Sequence, residues 1–297
     1  MVSVSTSKTR SVGVIGLGIM GSAMSVNLLK AGFAVHGYDI VAARRSSLRR
    51  IGGRAARSAA DVASKAAVVI TSLPSSEALH AVAKELSSRK CIVVETSTLP
   101  IEEKLKARDT LKRKDITLLD CPLSGTGAQA RAKDLVVYGS GDRKAFEKAK
   151  PVLEGFSRAN YFLGAFGNGS RMKFVANLMV AIHNVSAAEA FVLGMKAGLD
   201  PQTIFKVGGD GAGTSRMFQV RGPQMVKGRY DEATMKVEVW QKDMKIIGEF
   251  AAQLGVPTPL FNASAAIYNA ALAQGFAKED TAAVCAVLER MAGLRRR

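Results

Sequence analysis

Acidic residues are scarce in this chain. Its 297 residues carry 25 Asp and Glu against 42 Lys and Arg, a formal net charge of +17, and through residue 60 the only acid is Asp39. The cluster Arg44, Arg45, Arg49, Arg50, Arg54 and Arg57 raises the question of a nucleic-acid or phosphate-attracting face. It lacks the interleaved aromatics that stack bases and any recognised nucleic-acid motif. It reads as a solvated helix face with a general pull on anionic ligands, and nucleic acid is not an expected partner.

Cysteine is almost as rare. Cys91, Cys121 and Cys285 are far apart and odd in number, which excludes a disulfide framework and a metal-ligand spacing. A reducing cytoplasm fits, and no metal is expected. The histidines His36, His80 and His183 are dispersed and read as structural. No run of 18 or more apolar residues marks a membrane span. The opening "MVSVSTSKTR" has no apolar stretch of signal-peptide type and is expected to be a disordered arm over 1–10.

What the chain does have is apolar content, 47%, and length enough for two domains. Apolar runs alternate with helical patterns through the first half. Strands are expected at 12–17, 34–39, 66–73, 91–97, 116–122 and 135–140, with helices at 20–31, 41–51, 75–87 and 101–113. Continuous apolar strands between helices predict an α/β domain over 11–165, a Rossmann-type, doubly wound parallel sheet covered on both faces. A long helix over 169–197 then opens an all-α domain over 166–297, with further helices at about 200–207, 216–226, 233–254, 258–274 and 279–292.

Two motifs carry chemistry. "VGVIGLGIMGSAM" (12–24) places Gly16, Gly18 and Gly21 between a strand and a helix, and Asp39 ends the next strand 18 residues past Gly21. In that context the glycines serve a tight turn, close approach of a pyrophosphate, and helix–strand packing. The helix N-terminus faces the anion, and Asp39 suits a ribose 2′-OH. That acid favours NAD over NADP, with Arg44 and Arg45, expected to point to water from the following helix, allowing some NADP use.

The second motif is "GNGSRMKFVAN" (167–177). Lys173 lies early in the long helix, where the dipole disfavours a protonated amine, the direction that suits general acid–base work. Asn177 is one turn on, at i+4 on the same face. The segment "DCPLSGTGAQA" (120–130) offers Ser124, Gly125 and Thr126 as a hydroxyl and backbone N–H nest for a carboxylate.

The chain resembles the β-hydroxyacid dehydrogenase family, which includes 3-hydroxyisobutyrate dehydrogenases and tartronate semialdehyde reductases. It is more distantly similar to 6-phosphogluconate dehydrogenase. The likeness covers about 10–295 and rests on "GLGIMGSAM", "DCPLSGTGAQA", "GAFGNGSRMKFVAN" and "WQKDM" in that order. It implies cofactor contacts at Gly16, Leu17, Gly18, Ile19, Met20 and Gly21. From the shorter "SLP" and "ETSTLP" loops it adds Leu73, Pro74 and Thr98, and from the late motif Lys242. It implies Lys173 and Asn177 as catalytic, Ser124, Gly125 and Thr126 at the substrate, and a homodimer or homotetramer. Thr126 stands where the family usually has a second glycine. On residues alone, Lys242 and Asp243 read equally as an exposed charged pair, and Trp240 as core or pocket lining. Ser215 is a further candidate for substrate contact.

The expected function is an NAD(P)-dependent oxidoreductase moving a hydride between nicotinamide and a small β-hydroxy acid or its semialdehyde. An imine reductase on the same fold is the alternative, although that subgroup usually replaces the lysine. A non-enzymatic dinucleotide- or nucleic-acid-binding protein is the other.

Overall fold

The computed structural model describes residues 10–87 and 90–296. The arm expected over 1–10 therefore lies, Arg10 excepted, outside the described residues. The chain divides into two compact units, the first ending at Lys173 and the second starting at Phe174.

The first unit opens with β1 (Ser11–Ile15), α1 (Ile19–Lys30), β2 (Ala34–Tyr38), α2 (Ala42–Arg50), β3 (Arg54–Ala55), α3 (Ala59–Ala63) and β4 (Val68–Thr71). It continues with α4 (Ser76–Glu85), β5 (Ile92–Glu95), α5 (Ile101–Lys112) and β6 (Thr117–Asp120). These six strands form one parallel sheet in the order β3-β2-β1-β4-β5-β6. Alternate residues explain the continuous apolar strands. Val12, Val14, Ile70, Val94 and Leu119 enter one core. Ile15, Val69, Val93 and Leu118 enter the other, on the opposite face. Burying each such side chain stabilises the fold by about 1.5–3 kcal/mol. Strand order reverses between β1 and β4, and in open sheets of this kind ligands bind in the crevice at the carboxyl ends of such a pair.

The stretch 135–140 departs from expectation. After β7 (Leu123–Ser124) and α6 (Gly127–Arg131), β8 (Val136–Gly139) does not join the parallel sheet. It is the middle strand of a second sheet, antiparallel to β7 and parallel to β9 (Ala159–Phe162), which follows α7 (Arg143–Phe156). The reason is visible in its burial, which alternates along the strand as in a sheet covered on one face. Its outer positions, Val136 and Tyr138, are apolar enough to hide that alternation in the sequence. The two-residue strands β3 and β7 were not expected, nor were α3, α6, α7 and β9.

The helix α8 (Asn168–Lys196) runs from the end of the first unit into the second. By length and composition it is the one described helix able to cross a membrane, with a mean hydropathy of 1.5, a match the sequence reading did not expect. Its buried polar groups mark it instead as a packed helix. Asn184, for one, donates to Tyr268 Oη and the Thr281 carbonyl, both at 2.9 Å.

The second unit continues with α9 (Pro201–Asp210), α10 (Arg216–Lys227), α11 (Val237–Gln253), α12 (Pro259–Ala273), a 3₁₀ turn at Thr281–Ala283 and α13 (Val284–Met291). α11 starts four residues later than expected. The segment before it is tied to the buried Asp280 carboxylate, which takes the N–H groups of Thr234 (2.7 Å) and Met235 (3.1 Å). Asp280 also pairs with the buried Arg221 guanidinium and caps the 3₁₀ turn. Phe191, Phe218 and Phe205 stack on one another. Cys91 and Cys121 are buried in the first unit and Cys285 in the second, all as free thiols.

Candidate cofactor and substrate site

Gly16 ends β1 with φ +91, and a Cβ there would lie 2.1 Å from the Ser72 carbonyl oxygen beyond β4. Only glycine fits that turn, which sits at the β1/β4 crevice. A Cβ on Gly21 would meet the Gly16 carbonyl at 1.8 Å, which is how closely α1 crosses the turn. At Gly18 a Cβ meets nothing within 4 Å. Gly18 caps α1 without a side-chain hydrogen bond, and the first turn of α1 holds no acid. The start of α1 is thus uncapped and borders a cleft, the arrangement that receives a pyrophosphate. This cleft of about 380 Å³ is lined by Leu17, Gly18, the exposed Ile19, Arg44 and Arg131. Met20 packs inward against the core. These residues fit a dinucleotide.

Asp39 follows β2 and is buried. Its Oδ2 accepts from the Leu17 N–H at 2.8 Å and from Arg44 Nη1 at 3.2 Å, and its Oδ1 accepts from the Val41 N–H at 2.8 Å. A carboxylate has roughly four acceptor positions, so room for a ribose hydroxyl remains. The arginines fold back further than expected, although Arg44 stays exposed. Arg44 is ion-paired to Asp39, and Arg45 lies over the Tyr38 ring while donating to the Asp39 carbonyl. Asp39 is the one acid in the chain through residue 60.

The two short loops are tied together. The Leu73 N–H donates to Ser97 Oγ at 2.8 Å, and Thr96 Oγ1 donates to the Thr71 carbonyl at 2.7 Å. This fixes Leu73, the exposed Pro74 and Thr98 at the carboxyl ends of β4 and β5.

The substrate loop differs from the expected nest. Ser124 ends β7, and Gly125 has φ +133. Thr126 is the N-cap of α6 in a capping box: its hydroxyl accepts from the Gln129 N–H, and its own N–H donates to Gln129 Oε1 at 2.9 Å. The Thr126 N–H is therefore committed to Gln129. The Ser124 hydroxyl makes no hydrogen bond among the described residues, and the Gly125 N–H makes none to the backbone.

Lys173 stands in the second turn of α8 and is buried, 8% exposed. Asn177, one turn on, is also buried, and its Nδ2 donates to Asp243 Oδ2 on α11 at 2.9 Å. The "WQKDM" pair thus splits. Lys242 is solvent-exposed, with its Nζ 3.6 Å from the Asp243 carboxylate, whereas Asp243 is buried. The sequence reading missed this role of Asp243; its signal was the position three residues after Trp240 on the buried face of α11.

The remaining candidates have local partners or are at least half-buried. Ser215 caps α10, accepting from the Phe218 N–H at 3.1 Å. Trp240 is buried against Tyr268. His36 is buried, and His80 meets the Glu103 carboxylate. His183 is half-buried on α8. Among the described residues no group of three or more His, Cys, Asp or Glu could hold a metal ion.

The chain is similar to known proteins over nearly its whole length. Residues 11–165 match the family model "NAD binding domain of 6-phosphogluconate dehydrogenase", and residues 167–288 match "NAD-binding of NADP-dependent 3-hydroxyisobutyrate dehydrogenase". The chain is 30% identical to 2-(hydroxymethyl)glutarate dehydrogenase of Eubacterium barkeri over 97% of both chains. It is 33% identical to L-threonate dehydrogenase of Cupriavidus necator, over 93% of this chain and 95% of that one. Among solved structures, 3-hydroxyisobutyrate dehydrogenase from Salmonella typhimurium superimposes with a TM-score of 0.84 at 28% identity, covering 94% of this chain and 99% of that one.

Proposed function

The chain belongs to the β-hydroxyacid dehydrogenase family of NAD(P)-dependent oxidoreductases, and from that premise we propose that Lys173 is its general acid–base group, acting on a small β-hydroxy acid or semialdehyde. The observation that carries this reading is a buried lysine in the second turn of α8, followed one turn later by an amide that Asp243 holds. Burial of Lys173 sets the amine apart from bulk water.

Gly16, Leu17, Gly18, Ile19, Met20 and Gly21 hold the dinucleotide, with its pyrophosphate on the α1 N-terminus and a ribose hydroxyl on Asp39. Leu73, Pro74 and Thr98 cover it, and Lys242 is assigned to it by the family likeness. The bound nicotinamide supplies the hydride acceptor or donor. In oxidation Lys173 takes the substrate hydroxyl proton; in reduction it returns that proton to the carbonyl oxygen. Asn177, with Nδ2 committed to Asp243, offers its Oδ1 and second N–H to orient the lysine and substrate. Ser124 and Gly125 take the carboxylate, and Thr126 shapes the loop from its cap position. NAD is the preferred cofactor, with NADP use permitted by Arg44 and Arg45. Assembly as a homodimer or homotetramer belongs to the same reading.

The test is a nicotinamide absorbance assay with both cofactors and a panel of 3-hydroxyisobutyrate, L-threonate, glycerate, 3-hydroxypropionate and 4-hydroxybutyrate, on wild type and Lys173→Ala. Turnover of at least one acid is expected. Lys173→Ala should lower kcat by about 10²–10⁴ with dinucleotide affinity unchanged. Reduction of cyclic imines without turnover of any acid, or a Lys173→Ala variant near wild-type kcat, would overturn it.

A further inference from the structure

Three charged side chains of the first unit are completely buried at one point, and none belongs to the residues assigned above. Lys104 on α5 lies 2.6 Å from Glu95 Oε2 and 2.9 Å from Asp120 Oδ1, and it donates to the Ser97 carbonyl at 2.7 Å. All three are 0% exposed. Burial alone would lower the Lys104 pKa, but the Asp120 and Glu95 carboxylates reverse that and raise it, so the ammonium stays charged. One cation between two anions leaves an excess negative charge, which the cluster spends on backbone and hydroxyl donors. Glu95 Oε1 accepts from the Ser97 N–H at 2.8 Å. Asp120 Oδ2 accepts from the Ser170 N–H at 2.8 Å, and Oδ1 from Ser170 Oγ at 2.7 Å. Ser140 Oγ accepts from the Gly169 N–H at 3.0 Å, and a Cβ on Gly169 would press on the Tyr138 and Asp120 carbonyls at 2.2 and 2.6 Å.

The cluster therefore joins the segment before Thr98, the end of β6 four residues before Ser124, and the first turn of α8. Asp120 does for α8 what an N-cap carboxylate does, from 50 residues away in sequence. A buried ion cluster is a poor stabiliser compared with apolar packing, but it fixes geometry. We propose that Asp120, held by Lys104 and bonded to Ser170, is a positioning residue for catalysis, fixing the start of α8 so that Lys173 presents its amine at the reacting oxygen. This rests on the reading of Lys173 as the acid–base group. A displacement of about 1 Å in such a group can cost on the order of 10² in rate.

The experiment is a double-mutant cycle. Asp120→Asn removes the charge at constant shape. Ser170→Ala removes one hydrogen bond, leaves the three charges in place and serves if Asp120→Asn does not fold. Each is made alone and with Lys173→Ala, in the intact chain. The readouts are kcat on the best acid of the panel above and NADH affinity by fluorescence titration. The expected result is a fall in kcat of roughly tenfold or more for each single variant, with NADH affinity unchanged. Less than about twofold further loss is expected when either is added to Lys173→Ala, because the group they position is gone. Single variants that keep wild-type kcat, or losses that multiply with that of Lys173→Ala, would overturn the positioning role alone. A Lys173→Ala enzyme that keeps its turnover would overturn the acid–base reading and this inference together.

Discussion

The amide of Asn177 donates to the carboxylate of Asp243 across 2.9 Å, with both side chains buried. A carboxylate can only accept here, so the contact fixes which end of the amide is nitrogen. Replacing Asp243 by Ala strands a buried donor and should cost about 1–3 kcal/mol of stability together with a fall in kcat. Asp243→Asn, whose own oxygen can still accept, should retain more of both. Urea denaturation and steady-state kinetics on the two variants check this; equal kcat in wild type and Asp243→Ala would remove Asp243 from the functional constellation.

Thr126 caps α6 and stands in the loop proposed to hold the substrate. Glycine is nearly as good an N-cap as threonine, whereas alanine costs about 1 kcal/mol. Thr126→Gly should therefore melt close to wild type while accepting bulkier hydroxy acids, and Thr126→Ala should melt lower. The check is the ranking of substrates by kcat/KM beside Tm; an unchanged ranking in Thr126→Gly would show that the side chain does not shape specificity.

In the proposed reading, Asp39 and Arg44 both bear on the ribose 2′ position. Asp39 disfavours a 2′-phosphate, and Arg44, paired to it at 3.2 Å, softens that repulsion. Wild type should prefer NAD by kcat/KM. Asp39→Asn should shift the ratio towards NADP, and Arg44→Ala should shift it further towards NAD. An Asp39→Asn enzyme with the wild-type ratio would place the ribose elsewhere.

His36 supplies a pH dependence. Burial first, then Arg54 and Lys65, lowers its pKa below the usual 6.5. The folded chain thus prefers neutral imidazole more strongly than the unfolded chain does. Stability from this group is fully present above pH 6.5 and is lost as pH falls through that value towards the lower folded pKa. Tm should decline over that window before the carboxylates titrate, and His36→Leu should flatten the decline. A His36→Leu variant with the same slope would assign the effect to another group.

Much of this was legible in the sequence because it is local. The glycine turn, Asp39 and the lysine–asparagine pair lie within single strand–helix units, where spacing alone sets geometry. The parallel sheet was legible because both its faces are buried. What escaped depends on distant partners. Asp120 caps a helix that begins 48 residues later, and Asp280 ties down the segment ahead of α11 from 45 residues beyond it. Nothing local announces either. Lys104 did leave a trace. Ile101, Lys104, Ala107 and Leu111 occupy one buried face of α5, and a lysine on an apolar stripe signals a buried counter-charge. The fate of Arg44 and Arg45 also escaped, because helical position places a Cα and leaves a long side chain free to fold back.

The free cysteines have a practical consequence. Burial raises the thiol pKa at Cys91, Cys121 and Cys285, so none offers a thiolate to a reagent while its surroundings stay closed. Two of these thiols lie in the first compact unit and one in the second. Their modification rates are consequently separate clocks for the opening of each unit, with no label to be engineered. A chain that has lost only one unit's packing will betray which one by the sulfur that reacts first.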